Sequence, residues 1–476
     1  MKQQPKIGLI PLYLKLYDKT DPGRREKFAP FLSAIDASFS DDGIDVVQSD
    51  ICCVAPEFQQ AVSLFERQCV DLIVAVHLAY SPSLEAADAL AGTTLPLVLL
   101  DTTMDYGFGA HVDPARIFCN HGIHGVQDLA SVLRRRSKSF AIVAGHVTES
   151  NVLGRAKDVA RAAHAARRLR TTRALRIGPS FEGMGDFAVD DALMREALGI
   201  AVDQITRDDL AAAVAEVSPK AVEEEARLDR ERFEPALDAE VHLRSLRVGL
   251  GLRQVLDRGA YSAFSMNFLA FDSTDTLADT VPFLEASKAM ARGIGYAGEG
   301  DILTASLVGA LGASFGKTTF TEIFCPDWQG GSLFVSHMGE INPEVAARKP
   351  QLIELDFPYT PARNPAIPAC ALAPGKATLV NLAPGPNDTF GLIAAEVEVL
   401  PEPQDTTMGA CIRGWIRPPC STVPSESAGR GARCPEAFLE QYSRSGGTHH
   451  SALVYGERIE AVRAFGAFAG LDVTVI

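Results

Sequence analysis

Apolar runs that predict strands alternate with amphipathic stretches that predict helices over the first third of the chain. Helical patterns near Arg24–Ala37, Phe58–Gln68 and Val126–Arg136 separate these runs. Strands that alternate with helices are typical of a parallel sheet with helices on both faces. The predicted strands are Ile7–Leu12, Ile44–Val47, Asp71–His77, Leu97–Asp101 and Phe140–His146.

Three of these predicted strands end in a polar residue that can bind a ligand: His77, Asp101 and His146. Ligands of parallel α/β sheets bind beyond the carboxyl ends of the strands. The pattern therefore fits a binding edge, and fits equally well a set of loop residues whose hydrogen bonds are satisfied locally.

The middle of the chain repeats the alternation. A basic, alanine-rich stretch at Arg155–Arg173 predicts a helix, and Ala174–Ile177 predicts the strand after it. A turn-rich segment then runs from Gly178 to Asp186. The strongly charged stretch Arg207–Arg232 predicts a helix with a solvated face.

Beyond Thr318 the pattern changes to short strands separated by proline and glycine, which indicates a mostly β domain or a small barrel. Prolines recur from Pro365 to Pro403. We therefore expect an α/β protein with doubly wound parallel-sheet domains at its N-terminus (residues 1–170) and centre (171–316). A mostly β C-terminal domain (317–476) follows.

Composition narrows the class of function. With 60 acidic and 45 basic residues the net charge is −15, which disfavours binding to nucleic acid or to anionic membranes. No segment has the pattern of an export signal or of a membrane span. The nine cysteines form no CxxC pair, so we expect reduced thiols in a cytoplasmic protein.

The segment Gly293–Gly298 matches the dinucleotide spacing GxGxxG. In that motif a strand must precede the glycines, so that the phosphate meets the start of the next helix. Here the stretch before them, Val281–Arg292, predicts a helix. We therefore expect a tight turn between two helices and no cofactor loop.

Glu299 stands between two glycines, just before the predicted helix Ile302–Leu311. The exposed N–H groups and the dipole of a helix N-terminus favour a charged carboxylate there. Glu299 is thus a candidate ligand-binding residue, or else an ordinary acidic residue at the start of a helix.

A hairpin is predicted from the alternating segments Thr319–Phe324 and Ser332–His337. If it closes symmetrically about Gln329 and Gly330, Glu322 and His337 face each other, about 5 Å apart. A carboxylate beside an imidazole on an apolar face needs compensation, which a divalent cation would supply. The alternative is a buried, hydrogen-bonded Glu–His pair.

Two adjacent histidines, His449 and His450, follow a pair of glycines and precede the predicted strand Ser451–Tyr455. Neighbouring residues of a strand point to opposite faces. We therefore expect at most one of the two histidines in a common site.

These segments, in this order along the chain, resemble the L-arabinose isomerase and L-fucose isomerase superfamily. The resemblance rests on Gly298-Glu299-Gly300-Asp301, Thr321-Glu322, Ser336-His337-Met338 and Gly446-Gly447-Thr448-His449-His450. Two further segments add to it, namely Asn120-His121-Gly122-Ile123-His124-Gly125 and Gly183-Met184-Gly185-Asp186. Each motif is short, so the specificity comes from the ordered set.

The resemblance implies an aldose–ketose isomerase, an intramolecular oxidoreductase that acts on a pentose, hexose or deoxy-sugar through an enediolate. It implies Mn²⁺, or another divalent cation such as Co²⁺ or Mg²⁺, bound by Glu299, Glu322, His337 and His450, with Glu299 and Glu322 as the catalytic pair. The substrate-binding residues that it implies are His124, Met184, Met338 and His449. It also implies a homo-oligomer, trimer or hexamer, with shared active sites, in which His124 would complete the site of a neighbouring subunit.

The chain departs from the arabinose enzymes at Pro11-Leu12-Tyr13 and at Cys325-Pro326-Asp327-Trp328. These departures leave the sugar open. Two other functions fit the same scaffold: a non-catalytic sugar-binding protein and a metal-dependent sugar epimerase or aldolase.

Overall fold

A computed structural model describes residues 4–404, 413–419 and 434–476. The chain divides into two compact units, of which the first is Gln3–Arg167 and the second contains Arg168–Ile476. Among the described helices, none is long and apolar enough to cross a membrane. The predicted domain boundaries at residues 170 and 316 stay predictions.

The first unit is a five-stranded sheet in the order β2-β1-β3-β4-β5, and all of its strand pairs are parallel. The strands are β1 (Lys6–Leu12), β2 (Asp45–Gln48), β3 (Leu72–His77), β4 (Leu97–Asp101) and β5 (Ala141–Ala144). The helices are α1 (Ala29–Ser40), α2 (Ala55–Arg67), α3 (Ser83–Gly92), α4 (Ile117–Asn120), α5 (Ile123–Arg135) and α6 (Val152–Arg170), which runs on into the second unit. The predicted doubly wound class is confirmed.

Burial explains why the strands of this sheet could be found from their apolar runs. Every residue of β3 is buried, as are the first four of β4, because helices cover both faces of a parallel sheet. The alanine-rich helix α3 escaped prediction, since it lacks a clear apolar stripe. His77 ends β3 and Asp101 ends β4, whereas His146 lies two residues beyond β5.

The second unit opens with a four-stranded sheet in the order β10-β9-β6-β7, again with parallel pairs. Its part of the chain contains β6 (Arg173–Ile177), β7 (Ala201–Ile205), β8 (Glu234–Pro235), β9 (Ala263–Met266) and β10 (Gly295–Gly298). The helices are α7 (Asp191–Leu198), α8 (Arg207–Ala215), α9 (Pro219–Arg232), α10 (Ala239–Arg258), α11 (Phe283–Ala291) and α12 (Ile302–Phe315). This confirms the predicted central α/β arrangement.

The glycine-rich segment after α11 corrects one expectation. It forms a strand, β10, and not a turn between two helices. The reason is close packing: a Cβ atom at Gly295 would overlap the carbonyl oxygen of Ala305 and the backbone of Gly309, both on α12. Glycine therefore lets the strand and the following helix touch through their backbones.

The charged stretch Arg207–Arg232 corrects a second expectation, since its helices are not solvated throughout. Glu225 is 5% exposed and Asp229 is 1% exposed. Lys288 on α11 lies 2.9 Å from Glu225 and 2.6 Å from Asp229, and Arg253 on α10 donates to Glu225 as well. Cations from two neighbouring helices thus compensate carboxylates that a local charge pattern assigns to solvent.

The rest of the second unit is mostly β, as predicted. It contains β11 (Thr318–Asp327), β12 (Ser332–Ser336), β13 (Gln351–Glu354), β14 (Ala366–Ala369), β15 (Gly375–Pro384), β16 (Phe390–Val399), β17 (Gly414–Arg417), α13 (Cys434–Arg444), β18 (His450–Tyr455), α14 (Ile459–Ala469) and β19 (Asp472–Val475). Antiparallel pairs link six strands into a closed ring in the order β15-β18-β11-β12-β17-β16, and β19 adds to β16 in parallel. The remaining strands form a small sheet in the order β14-β13-β8.

Candidate metal and substrate site

Glu299 lies in the turn between β10 and α12, and its backbone is held from two sides. Its N–H donates to the carbonyl oxygen of Met266 (2.8 Å), and its own carbonyl oxygen accepts from the N–H of Phe181 (2.9 Å). Two residues later, Asp301 caps α12 by accepting from the N–H of Thr304 (2.9 Å). These bonds fix a left-handed backbone at Glu299, with φ of 64°.

Glu322 lies on β11, between β12 and β18, where it pairs with Ser336 on one side and with His450 on the other. The predicted pairing of Glu322 with His337 is therefore wrong by one residue. A bulge between Ile323 and Cys325 shifts the register, so that His337 follows directly after the end of β12.

Two groups of side chains that could hold a metal ion share His450. One consists of Glu299, His449 and His450, the other of Glu322, His337 and His450, and within each group the ligand atoms lie within 4.8 Å of one another. The structure thus brings together all four predicted metal ligands. Their metal-binding roles stay predictions.

A buried carboxylate orients each of the two histidines predicted as ligands. His337 donates from Nδ1 to Glu340 (2.9 Å), and His450 donates from Nδ1 to Asp301 (3.0 Å). With Nδ1 occupied, each ring keeps Nε2 for the cluster, and Nε2 of His450 is buried without a hydrogen-bond partner. Metal-binding histidines are usually oriented in this way.

No role was predicted for Glu340 or Asp301, although each lies close to a predicted ligand along the sequence. Asp301 belongs to the segment that carries Glu299, and Glu340 follows His337 by three residues. The hydroxyl of Tyr296 on β10 also donates a hydrogen bond to Glu340 (2.6 Å). This bond links Glu340 to the parallel sheet of the second unit.

The environment pushes the pKa values of the two glutamates apart. Burial raises the pKa of Glu322. Burial would also raise the pKa of Glu299, but the hydrogen bond from His449 and the charges of His337 and His450 outweigh it and lower that pKa. A pair of carboxylates with divergent pKa values can divide the roles of acid and base.

Both neighbouring histidines reach Glu299, so the expectation that at most one would enter the site is wrong. Nε2 of His449 and Nε2 of His450 each lie 3.5 Å from Oε2 of Glu299. The alternation of a strand does not apply to the pair, because β18 begins at His450. Their ring centroids are 4.2 Å apart.

Aromatic rings enclose the histidines. Phe320 on β11 meets the rings of His337 and His450 edge-on, with centroids 4.6 and 4.9 Å away. Phe187 stacks on His450 at 5.2 Å, with 10° between the ring planes. Phe187 had no signal in the sequence, because it comes from a loop far from the histidines along the chain.

The predicted substrate-binding residues lie in three places. Met338 lines a cavity of about 370 Å³ together with His337. Met184 lies in the loop between β6 and α7, two residues before Asp186. His124 is the second residue of α5 in the first unit, where its ring is 5.8 Å from that of His121.

The histidine-glycine segment of the first unit also has a packing role. His77, at the end of β3, is 3% exposed, and both of its ring nitrogens lack a hydrogen-bond partner. Burial lowers its pKa to about 3. Gly122 and Gly125 lie so close that a Cβ atom at either would overlap His77, which explains the two glycines without a ligand.

Comparison with known proteins agrees with this arrangement. The family model of the L-arabinose isomerase central domain matches residues 182–314, which include Glu299. The L-arabinose isomerase of Nocardioides sp. is 28% identical over 404 residues, covering 81% of this chain and 76% of that protein. The enzyme of the same name from Mycolicibacterium smegmatis is 28% identical, covering 86% and 80%, and that from Shouchella clausii is 24% identical, covering 86% and 82%.

Among solved structures, a periplasmic solute-binding protein from Actinobacillus succinogenes with bound D-allose aligns over 56% of this chain and 80% of its own. It is 12% identical, with a TM-score of 0.18, which is too low to bear on the function. The matches to the isomerases, by contrast, extend over most of the sequence. The chain is therefore similar to the L-arabinose isomerases over most of its length, and its middle part matches the family model of their central domain.

Proposed function

We propose that the protein is a metal-dependent aldose–ketose isomerase that acts on a pentose, hexose or deoxy-sugar. The observation that carries this proposal is the convergence of Glu299, Glu322, His337 and His450. The names of the relatives support the same class of reaction.

The donor set fits a divalent cation. Two carboxylates and two imidazoles suit Mn²⁺, with Co²⁺ or Mg²⁺ as other candidates. A closed structural zinc site, in contrast, is typically built with cysteine thiolates. Nε2 of His450 is buried without a hydrogen bond and lies 3.5 Å from Oε2 of Glu299, so a cation would satisfy both atoms. When bound, a divalent cation supplies Lewis acidity toward the carbonyl oxygen and the neighbouring hydroxyl oxygen of the sugar.

The two glutamates then move the proton. One carboxylate takes the proton from the carbon that bears the hydroxyl, which gives an enediolate, and a proton is returned to the former carbonyl carbon. The hydroxyl proton moves in the same direction, from the oxygen of that carbon to the former carbonyl oxygen, so that the atoms balance. Glu299 and Glu322 are the two carboxylates of the cluster, and they divide the acid and base parts between them.

An apolar wall beside the cluster supports a small sugar as substrate. The cavity of about 370 Å³ next to His337 is lined by Phe324, Phe334, Phe357 and Ile367, together with Met338. Aromatic side chains of this kind can pack against the C–H faces of a sugar, while its hydroxyl groups point toward the polar cluster.

The resemblance to the family extends the proposal to assembly and location. We propose a cytoplasmic homo-oligomer, trimer or hexamer, in which His124 contributes to the site of a neighbouring subunit. This part of the proposal rests on the family alone.

Turnover in D₂O with added Mn²⁺, followed by proton NMR of the product, tests the proposed reaction. A panel of pentoses, hexoses and 6-deoxyhexoses should include a sugar that is converted from aldose to ketose with its carbon skeleton intact. Deuterium should enter at C1 or C2, because a carboxylate that carries the proton exchanges it with water.

Glu299→Gln and Glu322→Gln are the paired variants for this experiment, and each should lose nearly all turnover. Near-parental turnover by both would overturn the acid–base assignment. Inverted stereochemistry without a ketose would indicate an epimerase, a cleaved skeleton an aldolase, and tight binding without turnover a sugar-binding protein.

A further inference from the structure

Asp186 makes two contacts with His449 that the proposed chemistry has not used. One oxygen of its carboxylate, Oδ2, accepts from the backbone N–H of His449 (3.0 Å) and lies 2.6 Å from Nδ1 of the same residue. An ionised carboxylate only accepts hydrogen bonds, so Nδ1 of His449 carries a hydrogen. The opposite nitrogen, Nε2, then faces Glu299.

The loop that carries Asp186 is anchored to the turn that carries Glu299. The N–H of Phe181 donates to the carbonyl oxygen of Glu299 (2.9 Å), and the hydroxyl of Ser180 donates to the carbonyl oxygen of Gly300 (3.4 Å). The approach is so close that a Cβ atom at Gly300 would lie 2.5 Å from Cα of Ser180. Asp186 and Glu299 are therefore positioned by one framework, and His449 lies between them.

The residue after Asp186 holds the same ring from another direction. Phe187 is 3% exposed, and its ring centroid lies 5.4 Å from that of His449. The side chain of Asp186, in contrast, is 35% exposed, so its removal should cost the fold little.

We propose that Asp186 is a positioning residue that holds the His449 ring with Nε2 directed at Glu299 and at the sugar. The inference rests on the proposed isomerase function for its catalytic consequence, but not for its geometry. Removal of a carboxylate that orients a functional histidine typically lowers activity about 10-fold to 100-fold.

A double-mutant cycle tests whether Asp186 acts through His449. Asp186→Ala should lower kcat about 10-fold to 100-fold with little change in KM, and Asp186→Asn should recover part of the loss because its amide oxygen can still accept. In a His449→Ala background, Asp186→Ala should have no further effect. Losses that add in the double variant would overturn the proposal.

A second measurement does not require turnover. In the metal-free protein, ¹⁵N NMR should show His449 protonated at Nδ1, with the signal assigned from its loss in His449→Ala. Asp186→Ala should shift the Nδ1 signal because the hydrogen bond to the carboxylate is lost, and a crystal structure of that variant should show the ring turned from Glu299. Glu182→Ala, an exposed carboxylate of the same loop, should change neither readout.

The two measurements separate the two proposals. If no sugar is converted by the parent protein but the ring responds to Asp186→Ala, the isomerase proposal fails and the positioning role stands. If the sugar is converted and the ring of the Asp186→Ala variant is unchanged, the positioning role fails.

Discussion

Single residues at the cluster take conformations that only their surroundings make stable. Glu299 adopts a left-handed backbone, which costs a residue with a side chain on the order of 1–3 kcal/mol. Hydrogen bonds from both neighbouring segments offset that cost. A further constraint is Gly298, where a Cβ atom would lie 2.6 Å from Cε1 of His337. The site is thus built by backbone placement as much as by the choice of ligands.

We predict that Glu322→Gln weakens Mn²⁺ binding by more than about 100-fold. A residue that only orients a metal ligand would be expected to change the affinity by about 10-fold to 100-fold. The amide keeps the shape but loses the anionic oxygen that a hard cation prefers. Isothermal calorimetry of the purified protein measures the change. Glu223→Gln, on the exposed side of α9, should bind Mn²⁺ like the parent. Parental affinity in Glu322→Gln would remove Glu322 from the ligand set.

At the scale of elements, the contact between β10 and α12 places Glu299 at the head of a buried helix. Twelve of the fourteen residues of α12 are buried, so the helix is held by packing on all sides. This is the packing in which Gly295 takes part. A displacement of the helix would carry the turn with it, and we expect stability and metal binding to be coupled here.

Gly295→Ala should therefore destabilise the fold by about 2–3 kcal/mol or more, because the added methyl group meets backbone atoms that cannot rotate away. Gly312→Ala is the matched control, since a Cβ atom there meets nothing closer than 3.7 Å. Because Gly312 lies within α12, Gly312→Ala should leave the free energy of unfolding unchanged or raise it by up to about 1 kcal/mol. Urea unfolding measures both, and equal stability of the two variants would contradict the packing argument.

A second element-scale feature is the ionic cluster that joins α9, α10 and α11. Glu225, Asp229 and Glu285 are all buried, and they bind Lys288 and Arg253. Burial alone would raise the pKa of Glu225, but hydrogen bonds from Arg253 and the charge of Lys288 lower it to about 2. The ionised cluster thus helps to fix how the three helices pack.

This lowered pKa gives a pH dependence with a defined sign. Because the folded-state pKa lies below the ordinary value of 4.5, the stabilisation from Glu225 is present above pH 4.5 and is lost as the pH falls toward 2. Glu225→Gln should cost on the order of 3 kcal/mol at neutral pH, and its deficit relative to the parent should shrink in acid. Urea unfolding across this range measures the change. Glu224→Gln, at the exposed neighbouring position, should have the same free energy of unfolding as the parent across this range. A deficit of Glu225→Gln that stays constant with pH would contradict the assignment.

At the scale of the whole molecule, the candidate metal ligands and His124, the predicted sugar contact, belong to different units. Glu299, Glu322, His337 and His450 come from the second unit, and His124 comes from the first. The family-based proposal is that the first unit of one subunit serves the second unit of its neighbour. This proposal can be tested without a structure of the oligomer.

Mixed oligomers of His124→Ala and Glu299→Gln subunits should recover activity that neither variant shows alone. Each mixed pair could then form one site from the intact first unit of one subunit and the intact second unit of the other. Oligomers of Glu299→Gln and Glu322→Gln subunits are the control, because both changes fall in the same cluster of one chain and should not complement. Equal recovery, or none, in verified mixtures would contradict a shared site.

The fold class could be predicted because the relevant signals are local. Apolar runs located β1, β3 and β4 to within a residue at each end, since a fully buried parallel strand is apolar along its whole length. The glycine-flanked Glu299 and the strand residue Glu322 also stood out locally, one by its neighbours and the other as a polar residue on an apolar face. The sequence by itself therefore determined the α/β and β parts of the chain, and its ordered motifs supplied the candidate metal ligands through their resemblance to a known family.

Only the tertiary structure decided which groups support these candidates. Asp186 and His449 are 263 residues apart, so no periodicity links them. The bulge in β11 set the register of the hairpin, and the start of β18 let both histidines reach Glu299. Burial of Glu225 likewise depended on cations from other helices. Hydrophobic pattern and chain spacing describe neighbours along the sequence, whereas hydrogen bonds and charge compensation depend on neighbours in space.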